Sequence, residues 1–403
     1  MSKQLFGTDG IRGKAGEPPL DKPTAFALGS ALGAWARHQS SNPRVLIGMD
    51  TRESGTWLAE AVAAGLQNAD VEPHFAGLLT TPGVAYNTKH GPYVAGVMIS
   101  ASHNPFEDNG IKIFDANGNK LPDSVELELE RMIENPSLIP VAVGADLGNA
   151  KRLDEVFGRY IVYAKSAFSS NYDLNNMRIV LDCANGASYR IGPMIYSELG
   201  AEIIPLGVKP NGININENCG ALHPDDCQEN VKKFRADLGI CLDGDADRIV
   251  IVDELGHVVD GDKLIGLFAR LLLDQGKLKT GDTVVGTVMT NLGLENYLKA
   301  KGLNLHRADV GDRYIIEYMS KNKSILGGEP SGHIIFREHA TTGDGILAGL
   351  KLIEAMKYYE QKVSELFKNI ELYPNVLKNV KITQKLPLHE VSAIQKAIKM
   401  AEE

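Results

Sequence analysis

The sequence predicts an α/β protein made of three consecutive related domains with mixed, mostly parallel sheets. Two observations carry that reading. The chain has 403 residues, too many for one ordinary core, because domains usually run about 100–200 residues. Short β-branched apolar runs also alternate with amphipathic helical stretches along its length, the pattern of layered α/β folds.

Arg44–Asp50 (RVLIGMD) reads as a strand and Trp57–Asn68 as the helix behind it. Val94–Ile99 is a second strand that runs straight into Ser100–Pro105, and Asp123 or Ser124 can cap the first turn of a helix ending near Ile133. Asn135–Gly148 carries prolines and small residues and marks a boundary before a helix over Asp154–Ala167. The second unit holds a strand at Arg178–Asp182, a helix at Tyr189–Leu199 and a strand at Leu238–Leu242 that ends in an acidic loop. The third holds a helix at Lys263–Leu273, a strand at Thr283–Met289 and a helix at Asn291–Lys301. The expected domains are therefore residues 1–150, 151–252 and 253–369. The loops of interest lie where strands end, which is where open α/β sheets bind ligands.

Bulk properties narrow the function. Hydrophobic residues make up 43% and charged residues 23%, the balance of a globular protein rather than a disordered one. A formal net charge of -9 argues against nucleic acid and anionic membrane as partners, so any phosphate site must be local. Met1–Lys14 has no apolar leader core, and the hydrophobic stretch Leu264–Leu273 is short and broken by Arg270. A cytoplasmic location is expected. The four cysteines have neither disulfide density nor finger spacing, so Cys219, His223 and Cys227 are not read as a zinc site.

Two distant segments carry the chemistry. Ser100-Ala101-Ser102-His103-Asn104-Pro105 offers a hydroxyl, best at Ser102, beside the imidazole of His103, with Asn-Pro enforcing a turn. Taken alone, the segment reads more readily as a capping turn. Asp243-Gly244-Asp245-Ala246-Asp247-Arg248 is sharper, because three carboxylates on one short loop repel each other unless a cation joins them. Oxygen ligands select a hard ion such as magnesium, manganese or calcium. An EF-hand is excluded, since Arg248 occupies the turn position that needs glycine and strand-like runs flank the loop. Gly327–His333 presents Glu329, Ser331 and His333, groups suited to sugar hydroxyls or an amine. Arg12 and Lys112 can offset the charge of a transferring phosphoryl group.

Together these segments resemble the phosphohexomutase superfamily. The resemblance covers Phe6–Gly13, Ile99–Pro105, Asn109–Lys112, Asp182–Ala187, the acidic loop, Val310–Tyr314, Gly328–His333 and Thr341–Gly345, in family order. Phe6–Gly13 is similar to the bacterial branch that acts on amino sugars. The resemblance implies three related domains around a central cleft and interconversion of glucosamine 6-phosphate and glucosamine 1-phosphate. It also implies a phosphoserine at Ser102, magnesium held by Ser102, Asp243, Asp245 and Asp247, and a glucosamine 1,6-bisphosphate intermediate. Glu329, Ser331, His333 and Arg248 are the expected substrate contacts, and Lys112 or His103 the expected proton mover, with Arg12 beside them. A homodimer is expected on the same ground.

The sequence departs from the family pattern in two places. Pro330 stands where the sugar loop commonly has a polar residue. No Arg-x-Ser-Gly-Thr-Glu-Pro segment, the family's grip on the substrate's non-reacting phosphate, occurs in the chain. Residues 370–403, with an expected strand at Val376–Ile382 and helix at Leu388–Ala401, therefore read as a partial fourth domain of a truncated form. The alternatives are a phosphomannomutase or phosphoglucomutase, and an inactive metal-dependent binder of sugar phosphates.

Overall fold

Valine and isoleucine runs become strands at the centre of each domain because helices cover both faces of those strands. In a computed structural model, residues 5–139, 151–376 and 388–402 are described. The chain forms two units, Met1–Leu372 and Tyr373–Glu403.

The first sheet contains β1 (Ile11–Lys14), β2 (Arg44–Met49), β3 (Glu72–Leu78), β4 (Ala95–Ile99), β5 (Asp108–Asp115) and β6 (Lys151–Arg152), in the order β1-β5-β4-β2-β3-β6. The second contains β7 (Arg178–Asp182), β8 (Glu202–Leu206), β9 (Leu238–Leu242), β10 (Ile249–Val252) and β11 (Val258–Val259), in the order β11-β10-β9-β7-β8. The third contains β12 (Thr283–Thr287), β13 (Asn304–Ala308), β14 (Leu326–Gly328) and β15 (Ile334–Phe336), in the order β13-β12-β14-β15. Most pairings are parallel, as expected.

Edge strands β1 and β11 pair antiparallel with β5 and β10, and one further antiparallel pairing recurs in all three sheets. β4 reverses into β5, β9 into β10 and β14 into β15, with Ile99 opposite Ile111, Leu242 opposite Ile249 and Gly328 opposite Ile334. The loops that make these reversals are the serine loop, the acidic loop and the sugar loop. Each chemical segment is thus the tip of a strand-to-strand return, anchored on both sides by a hydrogen-bonded ladder.

One apolar cluster passes through all three domains, from Leu46 and Leu79 through Ile179 and Ile240 to Ile265 and Ile346. A second fills the back of the first sheet beneath the helices Lys22–Gln39 and Ser54–Asn68. The buried helix Gly345–Tyr359 binds the second and third domains together: Tyr196 donates to Ile346 O at 2.9 Å and Tyr160 donates to Asp344 Oδ2 at 2.8 Å. Among the described residues, no helix is long and apolar enough to cross a membrane.

Two expected elements differ. The strand placed at Thr283–Met289 stops at Thr287, because Thr290 Oγ1 accepts the Thr287 N–H at 2.9 Å and Thr287 Oγ1 accepts that of Met289 at 3.2 Å. Those hydroxyls take the backbone out of the ladder. The helix placed at Leu388–Ala401 is a 3₁₀ turn, Leu388–Glu390, followed by a helix at Ser392–Glu402. The strand expected at Val376–Ile382 lies outside the described residues apart from Val376, which is in no strand.

Asp344 is fully buried, and that burial raises its pKa to about 6 against the pull of the Leu347 and Ile346 amides and the Tyr160 hydroxyl. A carboxyl whose pKa rises on folding stabilises the fold while protonated. The contribution is complete below the unfolded value of 3.8 and is lost as pH climbs through the folded value of about 6. Asp344→Asn should therefore gain on wild type by about 2–3 kcal/mol as pH rises from about 4 to about 7. Urea midpoints across that range would show a widening gap; a constant gap contradicts the assignment.

Candidate active site

The serine loop is held from beneath by a buried ion pair. Arg52 Nε meets Asp50 Oδ2 at 3.0 Å, and both side chains are wholly shielded from solvent. The same guanidinium donates to three carbonyls of the loop, those of Ser102 at 3.0 Å, Asn104 at 2.9 Å and Pro105 at 2.5 Å. Asp50 accepts the Ser100 hydroxyl at 2.6 Å, and Ser100 Oγ in turn accepts the Ser102 N–H at 2.9 Å. From the second domain, Asn216 Nδ2 donates to the Ser102 and Asn104 carbonyls at 2.9 and 3.1 Å. So braced, Ser102 holds φ of +53°, a left-handed conformation that costs a non-glycine residue roughly 1–3 kcal/mol.

That conformation aims the Ser102 hydroxyl at the acidic loop, where it donates to Asp243 Oδ2 at 2.5 Å. His103 Nδ1 lies 3.3 Å from the same hydroxyl. Gly244 makes the approach possible, since a Cβ there would sit 2.6 Å from Ser102 O. The Asp182–Ala187 segment supports the acidic loop from behind, with Ala187 N donating to Gly244 O at 2.7 Å.

Asp243, Asp245 and Asp247 are all buried and bring one oxygen each to within 4.8 Å of one another. Burial, reinforced by Asp247 and Asp245, drives the pKa of Asp243 well above the carboxylate range. Asp247 moves the opposite way: burial opposes ionisation, but Lys112, His333 and Arg248 outweigh it. Asp245 Oδ2 is occupied by the Thr81 hydroxyl at 2.6 Å and Lys112 Nζ at 2.8 Å. Asp245 Oδ1 and Asp247 Oδ1 are buried without a hydrogen-bond partner. A set of oxygen donors with two orphaned carboxylate oxygens fits a hard divalent cation.

Lys112, on β5, is buried and also lies 3.3 Å from Asp247 and 3.4 Å from Asp9. Burial disfavours its charge, but Asp245, Asp9 and Asp247 reverse the balance and raise its pKa above the usual lysine value, so it stays an ammonium. Arg12 pairs with Asp9 and donates to Ala101 O at 3.1 Å. A cleft of about 510 Å³ opens over this cluster, within the range of small-ligand sites of ~300–1,000 Å³. Asp9 and Arg12 line it from the first domain, Asp247 and Arg248 from the second, Glu329 and His333 from the third. Glu329 Oε1 accepts the Gly311 N–H at 3.2 Å.

Three domain models match the chain in order: phosphoglucomutase/phosphomannomutase alpha/beta/alpha domain I over residues 3–139, domain II over 158–256 and domain III over 260–373. The chain belongs to the phosphoglucomutase/phosphomannomutase family. Among its relatives, the phosphoglucosamine mutase of Aliarcobacter butzleri is 46% identical over 398 residues, 98% of this chain and 89% of that protein. The phosphoglucosamine mutase of Zymomonas mobilis is 47% identical over 403 residues, 100% of this chain and 90% of that protein. The fold is shared with a phosphoglucomutase/phosphomannomutase family protein of Burkholderia thailandensis, at a TM-score of 0.80 and 24% identity over 93% of this chain and 80% of that one. It is shared too with an Aspergillus fumigatus N-acetylphosphoglucosamine mutase solved with GlcNAc-6P and magnesium, at a TM-score of 0.61 and 18% identity over 93% of this chain and 81% of that one.

In this phosphohexomutase fold, Ser102, His103, Lys112, Arg12 and the three aspartates converge, and Arg248, Glu329 and His333 share the cleft wall. Ser331 is exposed at the tip of the sugar loop. Asp9, Asp50, Arg52, Thr81 and Asn216 also belong to the site and went unforeseen. The asparagine-rich run Asn211–Asn218 was the one visible hint, because asparagines at that density mark left-handed turns. Asn216 and Asn218 do adopt positive φ.

Arg52→Met should lower stability by about 3–5 kcal/mol, since it strands the buried Asp50 and frees three loop carbonyls. Chemical denaturation reads the loss directly. The double variant Asp50→Asn/Arg52→Met should recover part of it, and a single variant as stable as wild type would show that the pair does not hold the loop.

Proposed function

We propose that this chain is a phosphoglucosamine mutase, interconverting glucosamine 6-phosphate and glucosamine 1-phosphate through a phosphoserine at Ser102. The observation that carries the reading is the 2.5 Å contact between Ser102 Oγ and Asp243 inside a buried carboxylate triad. A hydroxyl so placed can carry a phosphoryl group beside a bound cation, and the amino-sugar substrate is that named by relatives at 46–47% identity.

Asp243, Asp245, Asp247 and the phosphorylated Ser102 would hold Mg2+. When bound, the ion supplies Lewis-acid polarisation of the phosphoryl oxygens. The phosphoryl group leaves Ser102 Oγ for the C1 hydroxyl of glucosamine 6-phosphate, giving glucosamine 1,6-bisphosphate. The bisphosphate turns in the cleft and returns its 6-phosphoryl group to Ser102, releasing glucosamine 1-phosphate. Lys112 and Arg12 remain cationic and spread the charge of the transferring group.

His103 suits proton acceptance better than Lys112 does. Burial, with Arg248 and Arg12 nearby, pushes its pKa down to about 4, so the ring is neutral near pH ~7 with a free lone pair. Lys112, held as an ammonium, has no lone pair to accept that proton and acts as a fixed positive charge. Glu329 and His333 face the sugar from the third domain; His333 Nε2 accepts the Gly343 N–H at 2.9 Å, which leaves Nδ1, 3.8 Å from Asp247 Oδ1, as the ring's donor nitrogen.

A magnesium-dependent assay with glucosamine, glucose and mannose phosphates tests the substrate. Turnover should favour the amino sugar and vanish with a chelator; preference for glucose or mannose phosphate would make the chain a phosphoglucomutase or phosphomannomutase. Incubation with glucosamine 1,6-bisphosphate should add one phosphoryl mass to wild type and none to Ser102→Ala. An unmodified wild type would leave only sugar-phosphate binding.

A further inference from the structure

Lys120 takes no part in the chemistry above, yet its surroundings are unusual for a lysine. Its side chain is 7% exposed, and its ammonium sits between two carboxylates of different domains, Asp312 Oδ1 at 2.7 Å and Asp9 Oδ1 in closer contact. Asp9 Oδ2 is turned to Arg12 Nη2 and lies 3.4 Å from Lys112 Nζ. One carboxylate therefore serves three cations: Lys112 has further partners in the second domain, Asp245 and Asp247, and Lys120 has one in the third, Asp312.

We infer that Lys120 is a positioning residue for phosphoryl transfer, setting through Asp9 where the Arg12 and Lys112 cations stand relative to Ser102. The inference rests on the mutase reading.

Three features support it. Lys112 is shared between Asp9 and the acidic loop, with Asp245 at 2.8 Å and Asp247 at 3.3 Å. A divalent cation would draw on those same two carboxylates, which leaves Asp9 as the anionic partner of Lys112 that the ion does not share. Next, the backbone links the two lysines stiffly: Lys120 bridges Phe114, and Phe114 lies two residues beyond Lys112 on β5. Leu121, the next residue, is buried in the apolar cluster behind the first sheet. Last, the far end is equally fixed. Asp312 opens the helix Asp312–Asn322, and its neighbour Arg313 reaches Asp123 and, at 2.5 Å, Glu126 on the helix Asp123–Glu134. Asp312 Oδ2 also lies 3.5 Å from His333 Nε2 beside the sugar loop.

The chain of contacts therefore runs from the sugar-loop side of the third domain, through Asp312, Lys120 and Asp9, to the cations beside the reacting hydroxyl. An ordinary interdomain ion pair would affect only stability. A positioning role affects the chemical step, where small misplacements of charge cost on the order of 10²-fold.

Mutase kinetics of magnesium-loaded wild type, Lys120→Met, Lys120→Arg and Asp312→Asn test it, with melting curves for each. Lys120→Met should lower kcat by about 30-fold or more with KM changed less than about 3-fold, and Lys120→Arg should restore most of kcat. Asp312→Asn, which leaves the ammonium on Asp9, should lose less than Lys120→Met at comparable stability. The inference is overturned by Lys120→Met with wild-type kcat, or by loss that tracks the unfolded fraction and is not rescued by arginine. A wild type without turnover brings down the mutase reading and this inference with it, whereas an active wild type with an equally active Lys120→Met removes the inference alone.

Discussion

The organisation of this molecule depends on keeping three aspartates buried and close together. Carboxylates whose oxygens lie within 4.8 Å of one another in the interior repel strongly, and the fold tolerates them only by surrounding them with fixed positive charge. Lys112, Arg12, Lys120 and Arg248 supply that charge: Arg12 and Lys112 from the paired strands β1 and β5, Lys120 from the return after β5, and Arg248 from the end of the acidic loop itself. Asp9 and Asp312 in turn keep those cations from collapsing onto the triad. Five carboxylates stand against four permanent cations, so the cluster is nearly neutral by itself. A divalent cation and a dianionic phosphoryl group can then enter together with little change in net charge. Either one alone would unbalance it.

The reactive serine depends on the same constraint. Its left-handed backbone would relax if the loop were free, and the Asp50–Arg52 pair with Asn216 prevents that by satisfying the carbonyls the conformation exposes. Strain at Ser102 is thereby held by groups remote from the chemistry, and what results is a hydroxyl already aimed at the acidic loop.

Much of the fold was legible because it follows from local pattern. Runs such as Val45–Ile47 and Ile179–Leu181 are strands in any context that buries both faces, and the acidic loop announced its chemistry through carboxylate spacing alone. The serine loop did so only in company with it. The supporting residues were illegible for a physical reason: Arg52, Asp9 and Lys120 look like surface charges until tertiary contacts bury them, and those contacts span up to 192 residues between Lys120 and Asp312. Thr287–Met289 misled in the opposite direction. Its β-branched residues favour a strand, but neighbouring hydroxyls captured the backbone first.

The repeated strand reversal beneath the three chemical loops has a kinematic consequence. Each loop is pinned at both ends to a ladder, the ladders share one apolar core, and a helix common to two domains fastens them further. Among the described residues, the serine, the cation site and the sugar contacts are thus carried on one packed frame. In a reaction that must present first one end of a sugar and then the other, the moving part is then the sugar: rotation belongs to the small molecule, and the protein serves as its stator.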